Sequence, residues 1–264
     1  MENKNKQKII LPDRIFGKKV DGAMEEMLKE DKTSVIHPPI QANAPDTGIQ
    51  SAKDSWRVLG VSYRNGIYSV DLAKQLLPAR TQEEHAEHRN KAGKGEFYIA
   101  DMLLYHTLFT ALFKQKDKPE SEEAREFIQK QMGGHWLMTL TRIAYQPTGD
   151  DLVIHNYNTK DRYEINASVV GPDRFIEARD SKALEALLGT GNISEINSVY
   201  NWISQTPAYI WRLNSKPIQV CERVAWFGAG SDGADLGCYG DPDYPYSSLG
   251  VRLVVRPKGV AKNK

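Results

Sequence analysis

The amino-acid sequence predicts an α+β fold in which helices and strands are gathered into separate blocks. Helix-like periodicity is concentrated in residues 97–132 and 182–204, and strand-like runs fill residues 136–169 and 209–255. No regular βαβ alternation links them, which argues against a parallel doubly wound sheet. At 264 residues the chain suits one large domain, or one domain with an extension, and can bury a substantial core.

Residues 1–54 are charged and punctuated by His37-Pro38-Pro39 and Asn43-Ala44-Pro45-Asp46, which predicts a partly ordered N-terminal arm with a short helix at Asp21–Lys29. The body, residues 55–264, opens with a strand at Trp56–Tyr63. Asn65-Gly66 signals a hairpin turn, and Ile67–Val70 returns. Asp71 is placed to cap a helix through Leu77 that Pro78 ends. Thr81–Lys94 is densely charged and reads as a solvated face. Its Glu84, His85, Glu87 and His88 share helical spacing, yet the pattern favours solvation over metal binding.

Phe97–Lys114 is apolar nearly all round, which predicts a central buried helix; Asp101 and His106 argue against a membrane span, and His106 reads as a hydrogen-bonded core histidine. A helix over Pro119–Met132 follows, acidic near its start and stopped by Gly133-Gly134. Trp136–Ile143, Leu152–Ile154 and Tyr163–Val169 read as strands. Asp180 or Ser181 then caps a helix over Lys182–Leu188. Asn192 with Glu195 resembles a capping box for Ile193–Ser204, whose apolar face is Ile196, Val199, Tyr200 and Ile203. Tyr209–Leu213 returns to strand.

The formal charge of +1 offers no global basic field, so no nucleic-acid partner is expected. No run of about 18 apolar residues suggests a spanning helix. The start, MENKNKQKIILP, has too few apolar residues for a signal peptide, so a cytoplasmic or virion-associated protein is expected. With no phosphate loop, nucleophile elbow or Ser/His/Asp constellation, neither catalytic residues nor a cofactor are expected, and the protein reads as a non-enzyme. The two cysteines, Cys221 and Cys238, read as unremarkable thiols.

The functional signal lies in Trp226–Ser247. These 22 residues hold five Gly, four Asp, three Tyr and two Pro, and no Lys, Arg, Glu or Gln. Strand alternation divides them and their neighbours. Phe227, Ala229, Ala234, Leu236, Cys238 and Leu249 form an inward apolar set. The outward set is Trp226, Gly228, Gly230, Ser231, Asp232, Gly233, Asp235, Gly237, Tyr239, Gly240, Asp241, Asp243, Tyr244 and Tyr246. Aromatics with small polar residues are the vocabulary of adaptable binding surfaces. A long ordered loop is the blander reading.

Glu222-Arg-Val-Ala-x-Phe-x-Ala229, Ala234-x-Leu-x-Cys238 and Ser248-Leu-Gly-Val-Arg-Leu-Val254 resemble the variable region of target proteins of diversity-generating retroelements. The upstream runs GGHWLMTLTR, VIHNY and YIWRLNSKP are similar to archaeal or archaeal-virus members. The resemblance implies a C-type lectin fold of the formylglycine-generating-enzyme type with an N-terminal extension. It also implies a C-terminal variable region at about residues 223–255, rewritten from a template by an adenine-mutating reverse transcriptase, and an unknown protein or glycan ligand. Asn codons mutated at adenines never yield Lys, Gln, Glu, Met or Trp; only Trp226 breaks this rule, which leaves its membership of the diversified set open. Two alternatives stay open: a calcium site at Asp232, Asp235, Asp241 and Asp243, whose spacing matches no EF-hand, and a thiol-dependent oxidase using Cys221 and Cys238.

Overall fold

The alternation at Trp56, Val58, Val61 and Tyr63 would break parity if the strand ran straight, since Val58 and Val61 are three apart. A bulge solves this: Val58 pairs with Val70 and Val61 with Tyr68, and the extra residue is taken up where Gly60 adopts φ 76°. All four side chains are thereby buried.

The computed structural model describes residues 14–15, 18–19, 47–168, 174–213, 216–230 and 233–254. The chain divides into two units, residues 1–44 and 45–264. In the first, Arg14–Ile15 (β1) pairs antiparallel with Lys18–Lys19 (β2); the expected helix at Asp21–Lys29 lies outside the described residues.

The second unit is α+β, built on two sheets. A four-stranded antiparallel sheet has the order β13-β5-β4-β3, from Tyr246–Val254 (β13), Gly66–Arg80 (β5), Ser55–Tyr63 (β4) and Gly48–Ser51 (β3). Because β3 pairs along β4, the folded body reaches back into the stretch read as an arm. The hairpin turn falls one residue earlier than expected, at Arg64-Asn65, with Tyr63 opposite Gly66. The expected helix from Asp71 to Leu77 is instead the middle of the 15-residue β5. Asp71 lies opposite Arg57 on one side and Arg252 on the other, and its buried carboxylate accepts from both, at 2.7 and 2.6 Å. Burial alone would raise its pKa, but the hydrogen bonds and charges of Arg57 and Arg252 hold it below the usual carboxylate range. Two cross-strand cations outweigh a local capping preference.

Gln82–Lys91 (α1) carries a capping box between Thr81 and Glu84. It is not the fully solvated run expected: Gln82, His85 and Ala86 are buried. The central helix, Met102–Phe113 (α2), begins later than expected, because Asp101 caps it by accepting from Leu104 N at 2.8 Å. Residues 97–100 are not helical, and Tyr98 bridges Val251. Pro119–Gly134 (α3) has proline in its first turn. Ser181–Leu188 (α4) follows a 3₁₀ turn at Ala178–Asp180. The Asp180 side chain makes no cap bond to α4; it accepts from Glu177 N at 2.9 Å across the 3₁₀ turn and pairs with Arg174 and Arg212. Ile193–Ser204 (α5) is capped by Asn192 alone, and its expected apolar face is fully buried. No helix among the described residues is long and apolar enough to cross a membrane.

The seven-stranded sheet has the order β8-β7-β6-β11-β12-β10-β9, from Tyr163–Ala167 (β8), Asp151–His155 (β7), Leu137–Tyr145 (β6), Cys221–Ala229 (β11), Ala234–Gly240 (β12), Ala208–Trp211 (β10) and Arg174–Phe175 (β9). Only β10 and β12 are parallel neighbours. Helices α2 to α5 pack on one face. There Phe227 sits among Tyr105, Phe109 and Tyr200, with ring centroids 6.0, 5.5 and 6.2 Å away. On the opposite face α1 covers β6, where Ala86 packs with Met138, Leu140 and Val224. Every residue of β6 is buried as a result.

Candidate ligand-binding surface

Beyond the reach of α1, the second face of this sheet is open, and register decides what it displays. Gly228 lies opposite Asp235, Asp235 beside Tyr209, and Tyr209 opposite Phe175; one step along, Trp226 lies opposite Gly237, which is beside Trp211. These two rows, with Tyr239 two residues beyond Gly237, share one face.

The indole of Trp226 lies on a floor of three glycines. A Cβ on Gly237 would fall 1.9 Å from Trp226 Cε2, one on Gly228 2.7 Å from Cζ3, and one on Gly240 2.9 Å from Cδ1. No side chain fits at those positions while the ring stays. Trp136 stacks above it with centroids 5.6 Å apart and planes at 30°, and Tyr239 meets it edge-on at 5.7 Å. Trp226 is therefore only 3% exposed, whereas Trp136 is 56% exposed.

From this centre aromatic contacts run in both directions. Tyr239 reaches Trp211 at 6.4 Å, Trp211 reaches Tyr209 at 4.9 Å, and Tyr209 reaches Phe175 at 4.9 Å. On the other side Trp136 meets Tyr246 at 6.1 Å, and Tyr246 meets Tyr244 at 4.7 Å. Eight rings thus form one contact chain, with Phe175, Tyr239, Trp136 and Tyr244 well exposed. Asp235 accepts from Trp211 Nε1 at 3.0 Å. Asp241 Oδ1 accepts from Asp243 N at 3.0 Å, an Asx turn that shapes the loop before β13. Helix α1 braces that loop: Gln82 N donates to Pro242 O, and His85 Nε2 donates to Tyr246 O at 3.1 Å. Burial lowers the His85 pKa to about 4.

The predicted inward set is confirmed in place, with Phe227, Ala234, Leu236, Cys238 and Leu249 buried and Ala229 half-buried. The outward set divides. Gly230, Tyr239, Asp241, Asp243 and Tyr244 are exposed, and Asp235 and Tyr246 are half-buried. Trp226, Gly228, Gly237 and Gly240 do not face solvent: the glycines are covered by the indole, and the indole by Trp136. Gly233 is also buried, because Pro207 O would stand 2.5 Å from a Cβ there. Ser231 and Asp232 lie outside the described residues. Phe175, Tyr209, Trp211 and Trp136 were missed as site residues, although the spacing of Tyr209 and Trp211 already placed them on one strand face.

No family model, curated protein or solved structure matches the chain.

Among the described residues no group of three or more His, Cys, Asp and Glu could hold a metal ion. Cys221 and Cys238 are not joined by a disulfide. Val224 opposite Gly240 and Trp226 opposite Gly237 set Cys238 near Ala225, four residues along β11 from Cys221, a separation of ~13 Å at strand rise. A cavity of about 950 Å³ beside Arg174, Asp180 and Arg212 is lined by none of the predicted site residues.

Proposed function

We propose that this protein is a diversified ligand-binding protein, whose C-terminal variable region on a C-type lectin scaffold recognises a protein or glycan target. The observation that carries the reading is the division of β11 and β12 into two faces. The apolar residues of the resembled motif are buried against α2 and α5, while the opposite face presents a continuous aromatic surface edged by Asp241 and Asp243. A scaffold of this kind can change what it binds without changing how it folds, because core positions tolerate little volume change and exposed ones much more.

The seat of Trp226 refines the proposal. Trp cannot arise from a mutated Asn codon, and here it is a buried plate on a glycine floor, as suits a fixed residue. Recognition then falls to Gly230, Asp235, Tyr239, Asp241, Asp243, Tyr244 and Tyr246, with Trp136, Trp211, Tyr209 and Phe175 as invariant neighbours. The deciding experiment is to sequence the DNA flanking the coding region. A second near-identical copy of the segment for residues 223–255, close to a reverse transcriptase gene and differing only at adenines, is the expected result. Absence of any such copy would overturn diversification.

A further inference from the structure

A cavity of about 370 Å³ lies between α2, the end of β4 and the link from α4 to α5, and shares no residue with the aromatic surface. Its volume falls within the range of small-molecule sites. Gly189 ends α4 at φ 77°, and a Cβ there would fall 2.3 Å from Leu103 Cδ1, so the link is pressed against α2 and this wall is fixed.

His106 and Thr110, one turn apart on α2, bring two uncommitted polar groups to the cavity. His106 is 2% exposed and hydrogen-bonds Tyr200 Oη through Nδ1 at 3.2 Å. Tyr200 is fully buried, and this is the one hydrogen bond of its hydroxyl among the described residues. Were Nδ1 the protonated nitrogen, the Tyr200 O–H would be buried without an acceptor. Tyr200 therefore donates, and the imidazole, kept neutral by burial, carries its hydrogen on Nε2. Nε2 makes no hydrogen bond among the described residues, and neither does the buried Oγ1 of Thr110. Buried polar groups are almost always paired, so two unpaired ones on one cavity point to a ligand oxygen that accepts from both.

The other hydroxyls of the lining, on Ser62, Thr107 and Thr190, do not select a ligand; the charges do. Glu195 is matched by Lys114 at 3.8 Å, whereas Arg64 is exposed and belongs to no ion pair among the described residues. Leu103, Ala111 and Leu188 supply the apolar lining. An anionic group set deep against a neutral imidazole would be costly to desolvate, so a carboxylate belongs at Arg64 and an uncharged oxygen at His106. We infer that this cavity binds a small organic acid. Its carboxylate pairs with Arg64, its apolar body rests on Leu103, Ala111 and Leu188, and a carbonyl oxygen accepts from His106 Nε2 and Thr110 Oγ1.

The full chain is titrated calorimetrically at pH ~7, where the acids are ionised. The probes are the oxo acids levulinate, acetylbutyrate and acetylvalerate, the matching fatty acids, which lack the ketone, and the matching ketones, which lack the carboxylate. At least one oxo acid is expected to bind saturably, with its fatty acid and its ketone each about tenfold weaker. Arg64→Gln should weaken that oxo acid about tenfold and leave the ketone unchanged. Thr110→Val removes an unpaired hydroxyl at nearly constant volume. It should keep the melting temperature and weaken the oxo acid several-fold, while leaving the fatty acid unchanged. The inference fails if no oxo acid binds, if the matching fatty acid or ketone binds as tightly, or if either variant leaves the oxo acid's affinity unchanged. Because none of residues 223–255 lines the cavity, the outcome is independent of the flanking-DNA test.

Discussion

The two faces of β11 and β12 both carry aromatic rings, and they hold them in opposite ways. On the inner face Phe227 is enclosed by Tyr105, Phe109 and Tyr200, each on a helix and each fully buried. On the outer face Trp226 has no helix above it. It is held by three missing side chains below and one exposed ring above. The inner site is fixed from every side, so its volume is fixed. The outer site has one fixed plate and a margin of rings that can change independently.

The inner face should be the more costly to disturb. Phe227→Ala leaves a ring-sized void among side chains that cannot collapse together, and is expected to cost ~3–5 kcal/mol in denaturant unfolding. A loss below about 1 kcal/mol would show that the inner face is not the rigid one.

Acid probes both faces at once. His106 is buried on the inner side, stacked on Tyr200 and hydrogen-bonded to its hydroxyl, and burial lowers its pKa to about 4. His85, to about 4 as well, holds the loop of the outer face through Tyr246 O. Each is bound neutral in the folded chain and titrates near ~6.5 when unfolded. Their contribution is therefore fully present above that unfolded value and is lost as pH falls toward about 4, by on the order of a few kcal/mol in all. His106→Gln should flatten this dependence in unfolding experiments between pH ~7 and ~4. His85→Gln, whose amide can still donate to Tyr246 O, should flatten it too. An unchanged pH slope in both variants would place the acid sensitivity elsewhere.

Gly237→Ala tests the glycine floor. The new Cβ would sit inside the indole, so Trp226 must leave its seat, at an expected ~1–3 kcal/mol with a red-shifted tryptophan emission. Gly228→Ala and Gly240→Ala meet the ring at longer distances and should cost less. Equal, negligible effects at all three would mean that the ring moves freely and that the floor is no seat.

How much of this could be read from the chain depended on how far apart the partners are in sequence. The inward set was legible, because Phe227, Leu236 and Cys238 follow strict period-two alternation. So was the buried face of α5, from its 3.6-residue period. Asp71 was not: its partners Arg57 and Arg252 are 14 and 181 residues away, and locally it looks like a cap before a short apolar run. The glycines were read as open surface because nothing nearby says that Trp226 lies on them, and Trp136, which covers it, comes from just before another strand, β6. His85 was hidden in a charged run because burial of one helix face by Met138 and Leu140 is a tertiary fact.

The smallest expected effect sharpens the comparison most. Among the rings of the described residues Tyr244 touches only Tyr246, and it is 57% exposed, so Tyr244→Ala removes little buried area and is expected to shift unfolding by less than about 0.5 kcal/mol. Tyr239 is 42% exposed but meets both Trp226 and Trp211, so its alanine variant should cost somewhat more, while still leaving a cooperative fold. If Tyr244→Ala were as damaging as Phe227→Ala, the outer rings would be a second core, and a surface open to change could not be built from them. If it is silent in unfolding, the outer margin is free of the fold and available for recognition, which is the property that separates it from the inner face of the same strands.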